Sequence, residues 1–156
     1  MSSTPAGPAP SPSSTSDAAV LELAGELRGA IAVASRRIRA ERGSAALSDP
    51  QYSALMWLSK HGSLTPGQLA ELERIQPPAM TRTVGCLVER GLVRKDDHPT
   101  DGRAVVVSLT QAGVEEVAET RHRRLVWLAA RLETLTPDEK ALLVEAAALL
   151  RRIATS

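Results

Sequence analysis

The chain has 156 residues, room for one compact domain or a small domain with helical extensions, and its 19 basic and 18 acidic residues nearly cancel to +1. No global field therefore attracts a polyanion, only a local basic face can do so, and an aromatic content of 2% argues against stacking of unpaired bases. A single cysteine, Cys86, excludes an intrachain disulfide framework, and with no signal-peptide pattern or apolar run of ~18 residues it predicts a soluble cytoplasmic protein.

Residues 1–16, "MSSTPAGPAPSPSSTS", are small, polar or proline apart from Met1, so they have little apolar surface to offset ordering entropy. A disordered tail is expected there. From Asp17 onward Val20, Ala24, Leu27, Ile31, Ala34 and Ile38 recur at three- and four-residue steps, which predicts a helical segment over 17–43 with a narrow apolar seam. Its other face carries Arg28, Arg36, Arg37, Arg39 and Glu41. A narrow seam on a terminal helix suits packing against another helix, including one from a second subunit.

Three later helices share one start chemistry, in which a Ser or Thr oxygen caps a free N–H and a Gln or Glu three residues on bonds back. The stretches are "SDPQ" at Ser48, "TPGQ" at Thr65 and "TPDE" at Thr136, each with proline in the first turn. The first helix is expected to bury Tyr52, Leu55, Met56 and Trp57 and to end at His61-Gly62. The second, a short one, presents Leu69 and Leu72.

Next, "QPPAMTRTVGCLVERG", residues 76–91, has Pro77 and Pro78 at a helix start, an apolar stripe of Met80, Val84, Leu87 and Val88, and Gly91 as the stop. "LVRK" and "AVVVSL" then read as two β-branched strands joined by a Pro/Asp/Gly turn, so "DDHPTDGRAVVVSLT", residues 96–110, is a hairpin. Thr110 caps a long helix to about Leu132. The last helix, begun at Thr136, sets Leu142, Ala146, Leu149, Leu150 and Ile153 on one side.

A short helix, a tight connection, a second helix and a hairpin form the outline of a winged helix-turn-helix, whose second helix enters the major groove. The expected fold class is mainly α, with an α+β winged helix. On a helical wheel Arg82 lies about 200° from Met80, away from the core, with Pro78 and Thr81 flanking it. No acid occurs between Arg74 and Val88. This is a local basic face, although a solvated helix face has the same pattern. Gly85 costs up to ~1 kcal/mol against alanine in mid-helix, and close approach of a partner is a reason to keep it. Thr65, Gln76, Pro77, Pro78, Thr81 and Arg82 are the candidate contacts to double-stranded DNA.

"QPPAMTRTVGCLVERGLVRK" followed by "DGRAVVVSLTQAG" resembles the recognition helix and wing of the MarR family of bacterial transcription regulators. The family's wing pattern, Asp-x-Arg, strand, Leu-Thr-x-x-Gly and long helix, is met by Asp101, Arg103, Leu109, Thr110 and Gly113. The resemblance implies a homodimer, with dimerisation helices at 17–43 and 114–156 and a DNA-binding lobe at 44–113 that reads a near-palindromic operator. It implies that Arg103 reaches the minor groove or its phosphates, where narrow A·T tracts concentrate negative potential, and that Asp101 orients basic side chains nearby. Gly102 stands where the family often has a basic residue, so this wing is expected to contact fewer phosphates. Repression is the commoner outcome in the family. So is release by a small, often phenolic, effector bound between the dimer domain and the lobe, for which Tyr52, Trp57 and His61 are candidates. No cofactor and no metal are expected.

Three rival readings compete with this one. Asp96, Asp97, His98 and Asp101 would suit a hydrolase or a hard cation, but they lie on one turn, no second cluster completes a site, and turn chemistry explains them. Cys86, one turn beyond Arg82, suits thiol-based redox sensing, against which no second cysteine can resolve an oxidised form. A winged helix can also serve as a protein-docking module. "RHRR", residues 121–124, reads as a solvated helix face.

Overall fold

Local capping signals set most of the helix starts. The computed structural model describes residues 15–97 and 105–155, in the order α1 (Thr15–Ala40), α2 (Asp49–His61), β1 (Ser63–Leu64), α3 (Pro66–Glu73), α4 (Pro77–Glu89), β2 (Val93–Asp97), β3 (Val105–Leu109), α5 (Gln111–Leu132) and α6 (Pro137–Thr155). Gln51 accepts from the Ser48 N–H at 3.0 Å, Thr65 and Gln68 bond reciprocally at 3.1 and 2.8 Å, and Thr136 and Glu139 do so at 3.3 and 2.8 Å. These are the three predicted starts. The chain divides into two units, one ending at Arg37 and the other beginning at Ile38.

The first unit is the bulk of α1. It begins at Thr15, two residues before the expected start, and the expected tail otherwise lies outside the described residues. Its seam residues Val20, Leu27 and Ile31 are exposed, as are Leu21, Leu23 and Val33.

The second unit holds the core. Tyr52, Leu55 and Leu58 of α2, Leu69 of α3, Met80, Val84 and Leu87 of α4, Val93 of β2, Val107 of β3 and Val117 of α5 belong to one apolar cluster. Met56, Leu72 and Val88, expected inside, are exposed, while Ala54, Leu58 and Ala70 are buried in their neighbourhood. On α2 the buried face runs through Tyr52, Leu55, Leu58 and Ala54, and Met56, about 100° from Leu55, falls at its edge. Trp57 is half-buried.

The sheet has three antiparallel strands in the order β1-β3-β2, one more than the expected hairpin. The extra strand has only two residues, Ser63 and Leu64, opposite Ser108 and Val107. Asp96 and Asp97 are also corrected: they are strand residues opposite Val106 and Val105, not part of the turn. An edge strand accepts such acids because one flank meets water. The Asp96 carboxylate takes the Arg94 Nε–H at 2.9 Å and the Ser108 hydroxyl at 3.3 Å. The turn itself, with His98, Asp101, Gly102 and Arg103, lies outside the described residues.

Leu-Thr-x-x-Gly has a packing reason. Thr110 Oγ1 caps α5 by accepting from the Gly113 N–H at 3.1 Å and donates its own proton to the Gly91 carbonyl at 2.6 Å. Thr110 N–H meets the Leu92 carbonyl at 3.1 Å. A Cβ on Gly113 would stand 2.0 Å from that same carbonyl oxygen, so only glycine lets α5 start there.

A polar joint was not anticipated. The connection after α1 turns its backbone N–H groups toward α5: Gly43 donates to Thr120 Oγ1 at 2.9 Å, Ala45 to Glu116 at 3.0 Å and Ser44 to Glu119 at 3.1 Å. Glu116 and Thr120 are buried, which such pairing permits. Hydrogen bonds from the Ser44 hydroxyl and backbone, then from Arg123, hold the Glu119 carboxyl below its ordinary range. The Arg90 guanidinium closes the other side, donating to the Ala45 carbonyl at 2.9 Å. Arg124 departs from the expected solvated "RHRR" face. It is half-buried 4.1 Å over the Tyr52 ring, with its Nε–H on the Glu41 carbonyl at 3.2 Å.

Candidate nucleic-acid interface

α3 and α4 are joined by a tight turn formed from their own ends. The Arg74 N–H bonds back to the Glu71 carbonyl at 3.1 Å and the Ile75 N–H to the Ala70 carbonyl at 3.0 Å, which closes α3 in a Schellman pattern. Arg74 sits in the left-handed region at φ 54°, and Ile75 packs against the core. α4 starts at once. Gln76 is its N-cap, its carbonyl accepting from the Ala79 N–H at 2.9 Å, and Pro77 and Pro78 form the first turn.

Packing of Met80, Val84 and Leu87 into the core orients α4, because side chains three and four apart share a face. The opposite face carries Pro78, Arg82, Cys86 and Glu89, all exposed. Gln76, Pro77 and Thr81 are exposed as well, so six of the seven candidate contacts lie in described residues and five of those on α4 and its cap. The sixth, Thr65, uses its hydroxyl oxygen to cap α3, while the seventh, Arg103, lies outside the described residues. Arg82 takes part in none of the ion pairs among the described residues. The Gln76 side chain makes no capping bond, and the Thr81 hydroxyl donates to the Pro77 carbonyl at 3.0 Å. A Cβ on Gly85 would meet nothing within 4 Å, so no contact among the described residues requires glycine there.

The three effector candidates are not gathered in one place. Tyr52, with Arg39, Asp49, Ser53, Glu73 and Arg124, lines a cavity of about 380 Å³. Trp57, with Ser53, Met56, Lys60 and Arg121, lines another of about 500 Å³. His61 is in the wall of neither, its ring standing 5.8 Å from that of Trp57. Ser53 and Met56 belong to both walls. Glu73, a residue the sequence did not single out, accepts from both the Ser53 hydroxyl and the Trp57 indole N–H, tying the end of α3 to α2.

Cys86 is exposed and is the chain's only thiol. Among the described residues no group of three or more His, Cys, Asp or Glu is placed to hold a metal ion, and no helix is long and apolar enough to cross a membrane.

Comparison with known proteins places this geometry. The MarR family model matches residues 47–105. An uncharacterized HTH-type transcriptional regulator of Mycobacterium bovis is 43% identical over 128 residues, which are 82% of this chain and 90% of that protein. Among solved structures, a putative transcriptional regulator from Pseudomonas aeruginosa superposes with a TM-score of 0.76 at 30% identity, covering 87% of this chain and 96% of that one. A mutant MarR from E. coli complexed with operator DNA shares the fold, with a TM-score of 0.63 at 24% identity over 86% of this chain and 94% of that one.

Proposed function

Because this chain belongs to the MarR family of DNA-binding helix-turn-helix transcriptional regulators, and is not an enzyme, we propose that it acts as a cytoplasmic homodimeric repressor. It binds a near-palindromic operator and is released by a small effector. The observation that carries the reading is α4: its core stripe turns Arg82 outward on a face with no acid between Arg74 and Val88. The E. coli complex with operator DNA supports the same use of the fold. In this reading the N-terminal half of α4 enters the major groove, Gln76, Pro77, Pro78, Thr81 and Arg82 face the bases, and Thr65 meets a phosphate. Arg103, supported by Asp101, reaches the adjacent minor groove.

The dimer is supported by apolar surface that each terminal helix leaves open. Val20, Leu21 and Leu23 of α1, and Leu142 and Val144 of α6, are each more than half exposed, and exposed apolar surface is what association covers. Residues 17–43 and 114–156 are assigned to dimerisation and 44–113 to DNA reading. Footprinting on the DNA upstream of the protein's own gene tests the function. An inverted repeat with half-sites about one helical turn apart should be protected, and no symmetric protection at low salt would overturn the proposal.

The effector is assigned to the paired cavities that share Ser53 and Met56. A phenolic ligand there would disturb Trp57 through its neighbours Glu73, Lys60 and His61. In a Trp127→Phe protein, whose tryptophan emission comes from Trp57 alone, a hydroxybenzoate should cause a saturable change in that emission. A flat titration across the phenolic series would remove the effector assignment and leave the DNA assignment intact.

A further inference from the structure

The turn between α3 and α4 demands a left-handed residue, and the chain supplies an arginine. At Arg74 φ is 54° and ψ 41°, and the bonds from Arg74 N–H and Ile75 N–H back to α3 are those of a left-handed helix cap. This is the position where a Schellman motif favours glycine, since a Cβ is sterically penalised in that region. Gly62 and Gly91 occupy the other two helix ends that need positive φ in the second unit. A side chain at Arg74 therefore carries a local backbone cost, as Ala46 does at φ 48° before α2, but here the side chain is a long cation beside the start of α4.

Among the described residues no ion pair accounts for the guanidinium. Arg74 is exposed and belongs to none of the ion pairs among the described residues. The adjacent acid, Glu73, has its carboxylate engaged by Ser53 and Trp57. Three residues further on begins α4, acid-free up to Glu89, so the charge stands at the entrance to the face that reads DNA.

We infer that Arg74 is a DNA-backbone contact, a phosphate-binding arginine presented by the left-handed turn of the helix-turn-helix. The inference rests on the DNA-reading assignment of α4. A cation beside a strand of phosphates supplies affinity without sequence information, whereas Arg82 supplies discrimination. The left-handed backbone fixes where the side chain leaves the main chain, between the two helices.

The substitution Arg74→Gly separates this role from a structural one because the two predict opposite signs. Glycine relieves the turn, so the melting temperature should rise or hold. Binding should weaken by the same factor on the selected operator and on a random-sequence duplex, and the slope of log K against log [KCl] should flatten by about 0.9 for each bound protomer. Arg74→Lys should keep most of the affinity. If Arg74→Gly binds both duplexes as the parent does, or loses affinity only for the operator, the phosphate assignment is overturned. A fall in melting temperature overturns it too, by making Arg74 a structural cap. Arg82→Ala measured alongside keeps the two readings apart: a loss there with none at Arg74 sinks only this inference, and no loss at either sinks the DNA face as a whole.

Discussion

Gly113→Ala should destabilise the protein by about 3 kcal/mol or more, with the melting temperature down by roughly 10 °C. The added methyl carbon would sit 2.0 Å from the Leu92 carbonyl oxygen and 3.2 Å from Leu109 Cδ2. The close neighbour is backbone, in a carbonyl already held by the Thr110 N–H, so it cannot swing aside as a side-chain end would. Either α5 lifts or the knot of Gly91, Leu92 and Thr110 opens, and both loosen the β2–β3 ladder that carries the wing. The same substitution at Gly85 should have the opposite sign. Nothing stands within 4 Å of a Cβ there, so alanine should gain up to ~1 kcal/mol of helix stability. Chemical denaturation of both variants at one protein concentration checks the pair. A Gly113→Ala protein that unfolds with the parent midpoint would mean α5 does not rest on Leu92 as described.

Arg82→Ala should cost about 1–3 kcal/mol of operator binding at each half-site, with discrimination against mutated operators relaxed at the base it reads. Stability should be unchanged, because Arg82 is exposed and in no ion pair among the described residues. Arg103→Ala should also weaken binding, and if it serves phosphates its loss will flatten the salt dependence by about 0.9 per protomer. Anisotropy titrations at several salt concentrations separate the two effects. Full operator affinity in both variants would leave winged-helix protein docking as the better account of the surface.

Much of this architecture can be read from short stretches, because the forces that set it act within a few residues. Ser48, Thr65, Thr110 and Thr136 cap the helices expected of them, and the prolines beside three of them fit the first turn. The outward direction of Arg82 follows from the spacing of Met80, Val84 and Leu87, since a helix turns the same way wherever it packs. The exposed face of α4 was legible for that reason.

What escaped depends on pairings across the chain. β1 is two residues long, too short to carry a periodic signal, and exists because β3 passes beside it. Asp96 and Asp97 resemble turn residues by composition, and only the register with Val105 and Val106 makes them strand. The joint of Gly43, Ser44 and Ala45 with Glu116, Glu119 and Thr120 spans separations of 71 to 77 residues, which no local pattern encodes. Tyr52 and Trp57 were paired by proximity in sequence, yet five residues of helix turn them toward different cavities. Sequence alone thus determined the helices, their caps and the outward face of α4 that carries Arg82, through local steric and hydrogen-bonding rules. The tertiary structure decided what those faces meet: the core edge that excludes Met56 and Leu72, the seat of α5 on Leu92, and the left-handed turn that holds Arg74 at the threshold of α4.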